Sequence, residues 1–362
     1  MGNLMFLAPE IAVVSTGLII LLIGVFMSPR TKNVLGYLAT LGVLAALVLT
    51  VESFGTNAAL FSGTISIDAL SQFFKLVFLA VALIVLLAAI KYNENSDHTE
   101  EFYTLVLFAT FGMMVVASAN DLILLFCAFE LASLATYALA GFEKQNARSL
   151  EGAMKYFIIG SVSAAVMLFG ISFVYGATGT TSIPAIAANP AILTGNPIGL
   201  VAIVLLIAGF GFKMALVSFH MWAPDTYQGL PSVVSALLAA GSKKMGFVAA
   251  FRVFILALAA LQSDWQLAFT ILVVVTMTFG NVVAVSQTSV KRMLAYSSLA
   301  QAGYITMAFV VMTPMALTGS IFYTLAHAFM KAGGIYCSCS RGLDGELRKD
   351  RQARYPGPPR QF

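Results

Sequence analysis

LILLFCAFELASLATYALAG, residues 122–141, decides the fold. The stretch is apolar, small or hydroxyl-bearing throughout, with one charge, Glu130, near its middle. A bilayer core about 30 Å thick takes about 20 apolar residues of α-helix to cross, so this segment reads as a transmembrane helix. Two further stretches carry the same anomaly. GLVAIVLLIAGFGFKMALVSF (199–219) contains Lys213, and PSVVSALLAAGSKKMGFVAAF (231–251) contains Lys243 and Lys244. A charge at the bilayer centre costs about 2.5–3.5 kcal/mol on insertion scales. A chain that places several there needs partners for them, a water path, or both, and these residues are therefore the first functional candidates.

The rest of the chain agrees. It is 59% hydrophobic and 10% charged, with mean hydropathy +0.90, whereas soluble domains carry about 25% charged residues. Eleven spans can be drawn, at about 4–27, 34–51, 67–90, 102–119, 121–141, 154–176, 198–218, 231–258, 265–287, 291–312 and 314–333. None alternates in the manner of a barrel strand, so the expected class is an all-α polytopic membrane protein. The first span has no basic leader, and Pro9 and Glu10 interrupt its start, so it does not read as a cleavable signal.

Arg30, Lys32, Lys91, Lys144, Arg148, Lys155, Lys291 and Arg292 fall in or beside the odd-numbered loops, and the even-numbered loops contain no Lys or Arg. The odd loops are thereby expected in the cytoplasm and the N-terminus outside. The net charge of +4 lies mostly in residues 334–362, so it is a tail effect and not a footprint for nucleic acid. Cys127, Cys337 and Cys339 form neither a disulfide framework nor a metal-ligand pattern, and Cys127 reads as a small core residue.

Glu130 alone in apolar surroundings would hold its proton, and Lys213 would tend to lose one. Brought together they relieve both costs, and a variable spacing makes the pair a switch of proton affinity, although a static buried ion pair is the plainer alternative. In the eighth span Lys243 shares its helix face with Ala236, Ala239, Ala240, Gly246 and Ala250. Small residues mark close packing in membranes, so Lys243 is preferred to Lys244 as the interior lysine. The seventh span ends in FHMWAPD (219–225), whose proline and acid suggest a broken helix of the kind that lines ion paths. His220 follows that break and either passes protons or sits at the interface. His327 and Lys331, four residues apart, extend a relay or mark a helix end. Lys75, Asp68 and Arg252 read as snorkelling or interfacial. There is no phosphate loop, dinucleotide fingerprint, nucleophile elbow or redox-metal ligand set. Any redox chemistry is therefore expected in partner subunits.

Residues 117–170 (ASANDLILLFCAFELASLATYALAGFEKQNARSLEGAMKYFIIGSVSAAVMLFG) closely resemble the N-type antiporter-like subunit of respiratory complex I and its relatives. GFKMALVSFHMWAPDTYQGLPSVVSALLAAGSKKMGF (211–247) and SVKRMLAYSSLAQAGYITMAF (289–309) resemble two further signatures of that family. The resemblance implies a bundle of fourteen helices with two inverted five-helix repeats, of which about eleven spans are present here. It divides the chain into an N-terminal three-helix segment (1–100), a first repeat (101–260), an incomplete second repeat (261–333) and a non-homologous polar tail (334–362). It makes Glu130, Lys213 and Lys243 members of a proton relay and extends it to His327 and Lys331, with His220 joining the candidates from its place beside the break. The tail, GIYCSCSRGLDGELRKDRQARYPGPPRQF, then reads as a shifted frame or a truncated product, against the alternative of an ordinary cytoplasmic tail.

The implied function is a proton-translocating membrane-arm subunit of a redox-driven quinone or methanophenazine oxidoreductase, in a prokaryotic cell membrane beside other membrane-arm subunits. NADH or reduced coenzyme F-420, quinone and iron–sulfur clusters are expected in those partners and no cofactor in this chain. A cation/proton antiporter subunit and a truncated scaffolding copy are the other readings.

Overall fold

The computed structural model describes residues 2–28, 31–93 and 98–340. The chain forms α1 (Ala8–Phe26), α2 (Asn33–Glu52), a two-stranded hairpin of β1 (Ala58–Leu60) and β2 (Ile65–Ile67), α3 (Ala69–Tyr92), α4 (Thr99–Ser118), α5 (Leu122–Ala140) and α6 (Ala147–Thr178). A short helix α7 (Ile183–Ala188) precedes α8 (Pro197–Met214) and α9 (Trp222–Gly229). One continuous span then comprises α10 (Ser232–Leu237), a π-helical turn (Leu238–Ser242), α11 (Lys243–Ala250) and a second π segment (Phe251–Ala257). It is followed by α12 (Gln262–Ser286), α13 (Val290–Val311) and α14 (Pro314–Ser340).

Ten helices among the described residues are long and apolar enough to cross a membrane, one fewer than the sequence suggested. The eleventh expected span is helical, as α14, but Ser320, Thr324, His327 and Lys331 dilute its apolar character. The helix also runs through Ser340, past the expected end at 333, and the remainder of the tail, 341–362, lies outside the described residues.

The span of residues 232–257 is buried at every position from 233 to 254, with α4 the next most buried, while α1, α6 and α12 turn most of their surface outward. Outward surface on these helices is apolar, as in Leu22, Phe26, Val162, Phe169, Val274 and Val282, which suits contact with lipid. Cys127 belongs to this outward surface and is not the core residue expected.

Helix starts follow the local chemistry. Asp68 caps α3 by accepting from the Ser71 amide at 2.8 Å, while the Ser71 hydroxyl accepts from the Asp68 amide at 2.9 Å. Asn146 caps α6 by accepting from the amides of Arg148 and Ser149. The hairpin was not foreseen. Phe61, Ser62 and Gly63 all take positive φ in its turn, and Asn120 donates to Thr64 O and Gly63 O, tying the turn to the start of α5.

The loops rich in Lys and Arg gather at one end. Lys32 meets Glu100 at 2.6 Å, the Tyr92 hydroxyl donates to Glu143 at 2.6 Å, and Asp225 accepts from both Lys155 and Arg292 at 2.8 Å. Hairpin, α7 and the end of the 232–257 span lie at the other end, where Arg252 pairs with Asp68. Lys75 and Arg252, expected to snorkel, are instead buried and paired, while Asp68 is half-buried. Lys75 closes on Glu10 at 2.6 Å, and Arg252 binds Asp68 and donates to Ala117 O at 2.7 and 3.0 Å. Without water at that depth a counter-ion inside the bundle satisfies them better than a reach to the interface.

Candidate proton-relay site

α5 carries Glu130, Ser133, Thr136 and Tyr137 at helical spacing on its inward side, and α8 brings Lys213 against them. Lys213 is buried at 1% exposure. Its Nζ donates to Ser133 Oγ at 2.9 Å and to the Tyr156 hydroxyl at 3.0 Å. The rings of Tyr156, Tyr137 and Phe129 stand 5.3, 5.5 and 5.6 Å away, so three π faces share the charge. The structure does not close the expected ion pair with Glu130, which is half-buried and makes no ion pair among the described residues. Two hydroxyls and an aromatic cage hold the ammonium where the carboxylate was expected to.

α8 stops one residue beyond Lys213. Ala215 and Ser218 adopt positive φ of 54° and 85°, and helix resumes at Trp222. Such a break needs every freed backbone group satisfied. Leu216 N donates to Gly211 O at 2.9 Å, Val217 N to Thr276 Oγ1 on α12 at 3.0 Å, and Trp222 Nε1 to Phe212 O at 3.0 Å. Gly211 allows Phe219 to fold back over the helix end, since a Cβ there would lie 2.7 Å from its ring. The expected break is present.

Gly246 sets α11 flush against this point; a Cβ on it would stand 3.1 Å from Lys213 Cβ and 3.2 Å from Met214 N. One turn earlier on that span lie Lys243 and Lys244, both fully buried. Lys243 Nζ donates to Ser298 O at 2.9 Å and Ser298 Oγ at 3.1 Å, on α13. Lys244 Nζ meets His327 Nδ1 on α14. Lys243 is interior as expected, and Lys244 is equally so. A face argument presumes one exposed side, and residues 233–254 around the two lysines show none. Lys331, one turn beyond His327, donates to Leu294 O and Ser297 Oγ, each at 3.0 Å.

The structure therefore brings Lys213, Lys243, His327 and Lys331 into one enclosed series across α8, α11 and α14, and adds Lys244. His220 stands apart: its ring packs on Phe279 of α12 at 5.0 Å, and its Nδ1 has no partner among the described residues. Sequence reasoning missed Ser133, Tyr156 and Ser298. Ser133 carried a signal, a hydroxyl one turn from Glu130 in an apolar span; Tyr156 and Ser298 carried none. Tyr156 lies on α6, where its hydroxyl is 3.1 Å from Thr136 Oγ1 and 3.5 Å from Ser242 Oγ.

Comparison with known proteins gives the family. The family described as NADH:quinone oxidoreductase/Mrp antiporter, transmembrane, matches residues 119–355. The chain is 80% identical over 348 residues to F(420)H(2) dehydrogenase subunit N of Methanosarcina mazei, covering 94% of this chain and 71% of that protein. It is 38% identical to NADH-quinone oxidoreductase subunit N of Trichlorobacter lovleyi, covering 95% of this chain and 71% of that protein. Among solved structures, a chain of respiratory complex I from Thermus thermophilus with bound aureothin superposes with TM-score 0.75 at 32% identity, over 90% of this chain and 69% of that one. The family match and the identity to these relatives place this chain in the NADH:quinone oxidoreductase/Mrp antiporter family of transmembrane subunits.

Proposed function

We propose that this chain is a proton-translocating membrane-arm subunit of a redox-driven oxidoreductase, and that Glu130, Lys213, Lys243, Lys244, His327 and Lys331 carry the proton. One observation carries the reading: buried amines and an imidazole stand in sequence across three helices, each held by hydroxyls, carbonyls or another relay group instead of a counter-ion. An amine held this way exchanges its proton more readily than one locked to a carboxylate, because no fixed negative charge opposes the neutral form. His220, beside the break, serves as a branch toward α12.

The likeness to F(420)H(2) dehydrogenase subunit N favours reduced F-420 as the donor oxidised by the assembled complex, with NADH the other donor found among relatives. In this reading the donor site, iron–sulfur clusters and quinone or methanophenazine site belong to partner subunits, and this chain supplies the proton path. Residues 101–260, with the break between α8 and α9, make one repeat, and residues 261–333 begin the other.

The test is the complex purified with this chain and reconstituted in liposomes. Glu130→Ala or Lys213→Ala should leave assembly intact while lowering protons moved per electron. Normal stoichiometry in both variants overturns the reading.

A further inference from the structure

We infer that Tyr156 is a relay residue, the hydroxyl through which a proton passes between Lys213 on α8 and the Ser242–Lys243 step of the central span. This rests on the proton-translocating reading above and adds to it a residue and a direction.

The hydrogen-bond geometry determines which atom donates. The ammonium of Lys213 has only protons to give, so at 3.0 Å the Tyr156 oxygen accepts from it. Thr136 already donates its hydroxyl to Ser133 O at 2.8 Å, so toward Tyr156, 3.1 Å away, it can only accept. The tyrosine proton therefore points at Thr136 while its oxygen receives Lys213. Ser242 Oγ, 3.5 Å off, is the other group within reach. Rotation about the single C–O bond of the phenol swings the same proton from Thr136 to Ser242. Thr136 is then the resting acceptor and Ser242 the onward one.

The transfer balances without any further reactant than water. An N–H bond of Lys213 breaks as its proton joins the Tyr156 oxygen. The O–H bond that tyrosine already had breaks, and that proton joins Ser242 Oγ. The serine in turn releases its own proton to the neutral amine of Lys243, directly or through one water molecule. Tyrosine and serine end as they began, Lys213 ends neutral and Lys243 protonated.

The ring is as fixed as the hydroxyl is free to turn. Tyr156 is fully buried, stacked on Trp222 with centroids 4.6 Å apart and met edge-on by Tyr137 at 4.6 Å. Trp222 is the first residue of α9, so the ring that holds the hydroxyl rests on the far side of the helix break. Movement of α9 would shift the Tyr156 oxygen relative to Lys213 and open or close the step.

The test uses the complex containing the full chain, in liposomes, reading protons per electron, the coupled rate and its solvent deuterium isotope effect. Tyr156→Phe keeps the ring and its stacking and removes only the hydroxyl. It should slow proton-coupled turnover by about tenfold and raise the isotope effect, as a slower transfer through water replaces the lost hydroxyl and becomes limiting. Lys213→Ala and Glu130→Ala run alongside. Normal stoichiometry in Lys213→Ala and in Glu130→Ala sinks the translocation reading itself, whereas normal stoichiometry in Lys213→Ala alone removes the donor of this step and overturns the role of Tyr156. A defective Lys213→Ala with a Tyr156→Phe variant of parental rate and stoichiometry sinks only the role of Tyr156. A slowed Tyr156→Phe with an unchanged isotope effect assigns the tyrosine to packing and also overturns the proposal. If Tyr156→Phe does not assemble, Ser242→Ala breaks the same link from the other side and is judged by the same outcomes.

Discussion

Arg252 grips Asp68 with two nitrogens, Nη1 on Oδ2 at 2.8 Å and Nη2 on Oδ1 at 2.9 Å, tying the central span to the cap of α3. Burial alone would raise the Asp68 pKa, but the guanidinium beside it, with hydrogen bonds from Ser71 N and Ser66 Oγ, outweighs burial and holds the carboxyl below its ordinary 3.8. A lowered folded pKa means the pair stabilises fully above the ordinary value and loses its effect as pH falls through the lower one. Asp68→Asn leaves a buried guanidinium unpaired, which we expect to cost about 3 kcal/mol. Thermal unfolding of the purified complex at pH 7 should show a clear drop in midpoint, and an unchanged midpoint would mean the pair is idle.

Glu10 and Lys75 make a second enclosed pair, between α1 and α3. Lys75→Met alone strands a carboxylate and should destabilise by roughly 3–5 kcal/mol, whereas Glu10→Gln with Lys75→Met should recover most of that loss. The double-variant cycle measured by thermal unfolding decides. If proton stoichiometry is lost in the recovered double variant, the pair belongs to the relay rather than to packing.

Lys244 should matter as much as Lys243. Each is fully buried and each has its own partner, Ser298 for one and His327 for the other. Lys244→Met is expected to slow proton-coupled turnover by about tenfold, equivalent to about 1.4 kcal/mol in the barrier. Parental turnover in that variant would restore the view that Lys243 alone faces the path.

Asp225 stands at the mouth of a cavity of about 590 Å³ lined by Arg148, Glu151, Lys155, Gln228 and Lys291. Burial pushes its pKa up, but hydrogen bonds from Lys155 and Arg292 more than reverse this and keep it below 3.8. The clamp is therefore complete at neutral pH and is lost only as the solution becomes more acidic than the ordinary aspartate value. Asp225→Asn should cost about 1 kcal/mol, as for half-exposed pairs. The deficit, read as a thermal midpoint against parent, should stay constant from pH 5 to pH 8; a deficit that shrinks across that range would contradict the assignment.

The spans, the break after Lys213 and the line of buried charges were legible because membrane burial leaves a coarse mark: long apolar runs and rare ions within them. The partners of those ions were not. Lys75 and Arg252 read as interfacial because sequence distance hides that α3 lies beside α1, and that Asp68 waits opposite Arg252. Lys213 was assigned to Glu130 because opposite charge is the obvious partner. Nothing in the chain order shows that Ser133 and Tyr156 stand nearer, since they come from separate helices. Lys244 was ranked second because periodicity separates buried from exposed faces, and residues 233–254 show only buried ones.

The π-helical turn at Leu238–Ser242, immediately before the paired lysines, has a genetic consequence. Such a turn accommodates one residue more than an α-helix would in the same length, so deleting a single residue between 238 and 241 would let the span relax to regular α-helix with Lys243 and Lys244 still aimed at Ser298 and His327. The regular helix just before it, Ser232–Leu237, has no extra residue to give up. The same loss there would rotate the lysines by about 100°, the angle per residue of an α-helix, and turn them away from their partners. A one-codon loss that alters neither charge nor hydropathy is thus absorbed in one turn and silences the path in the turn before it, a difference that no tally of conserved residue types would reveal.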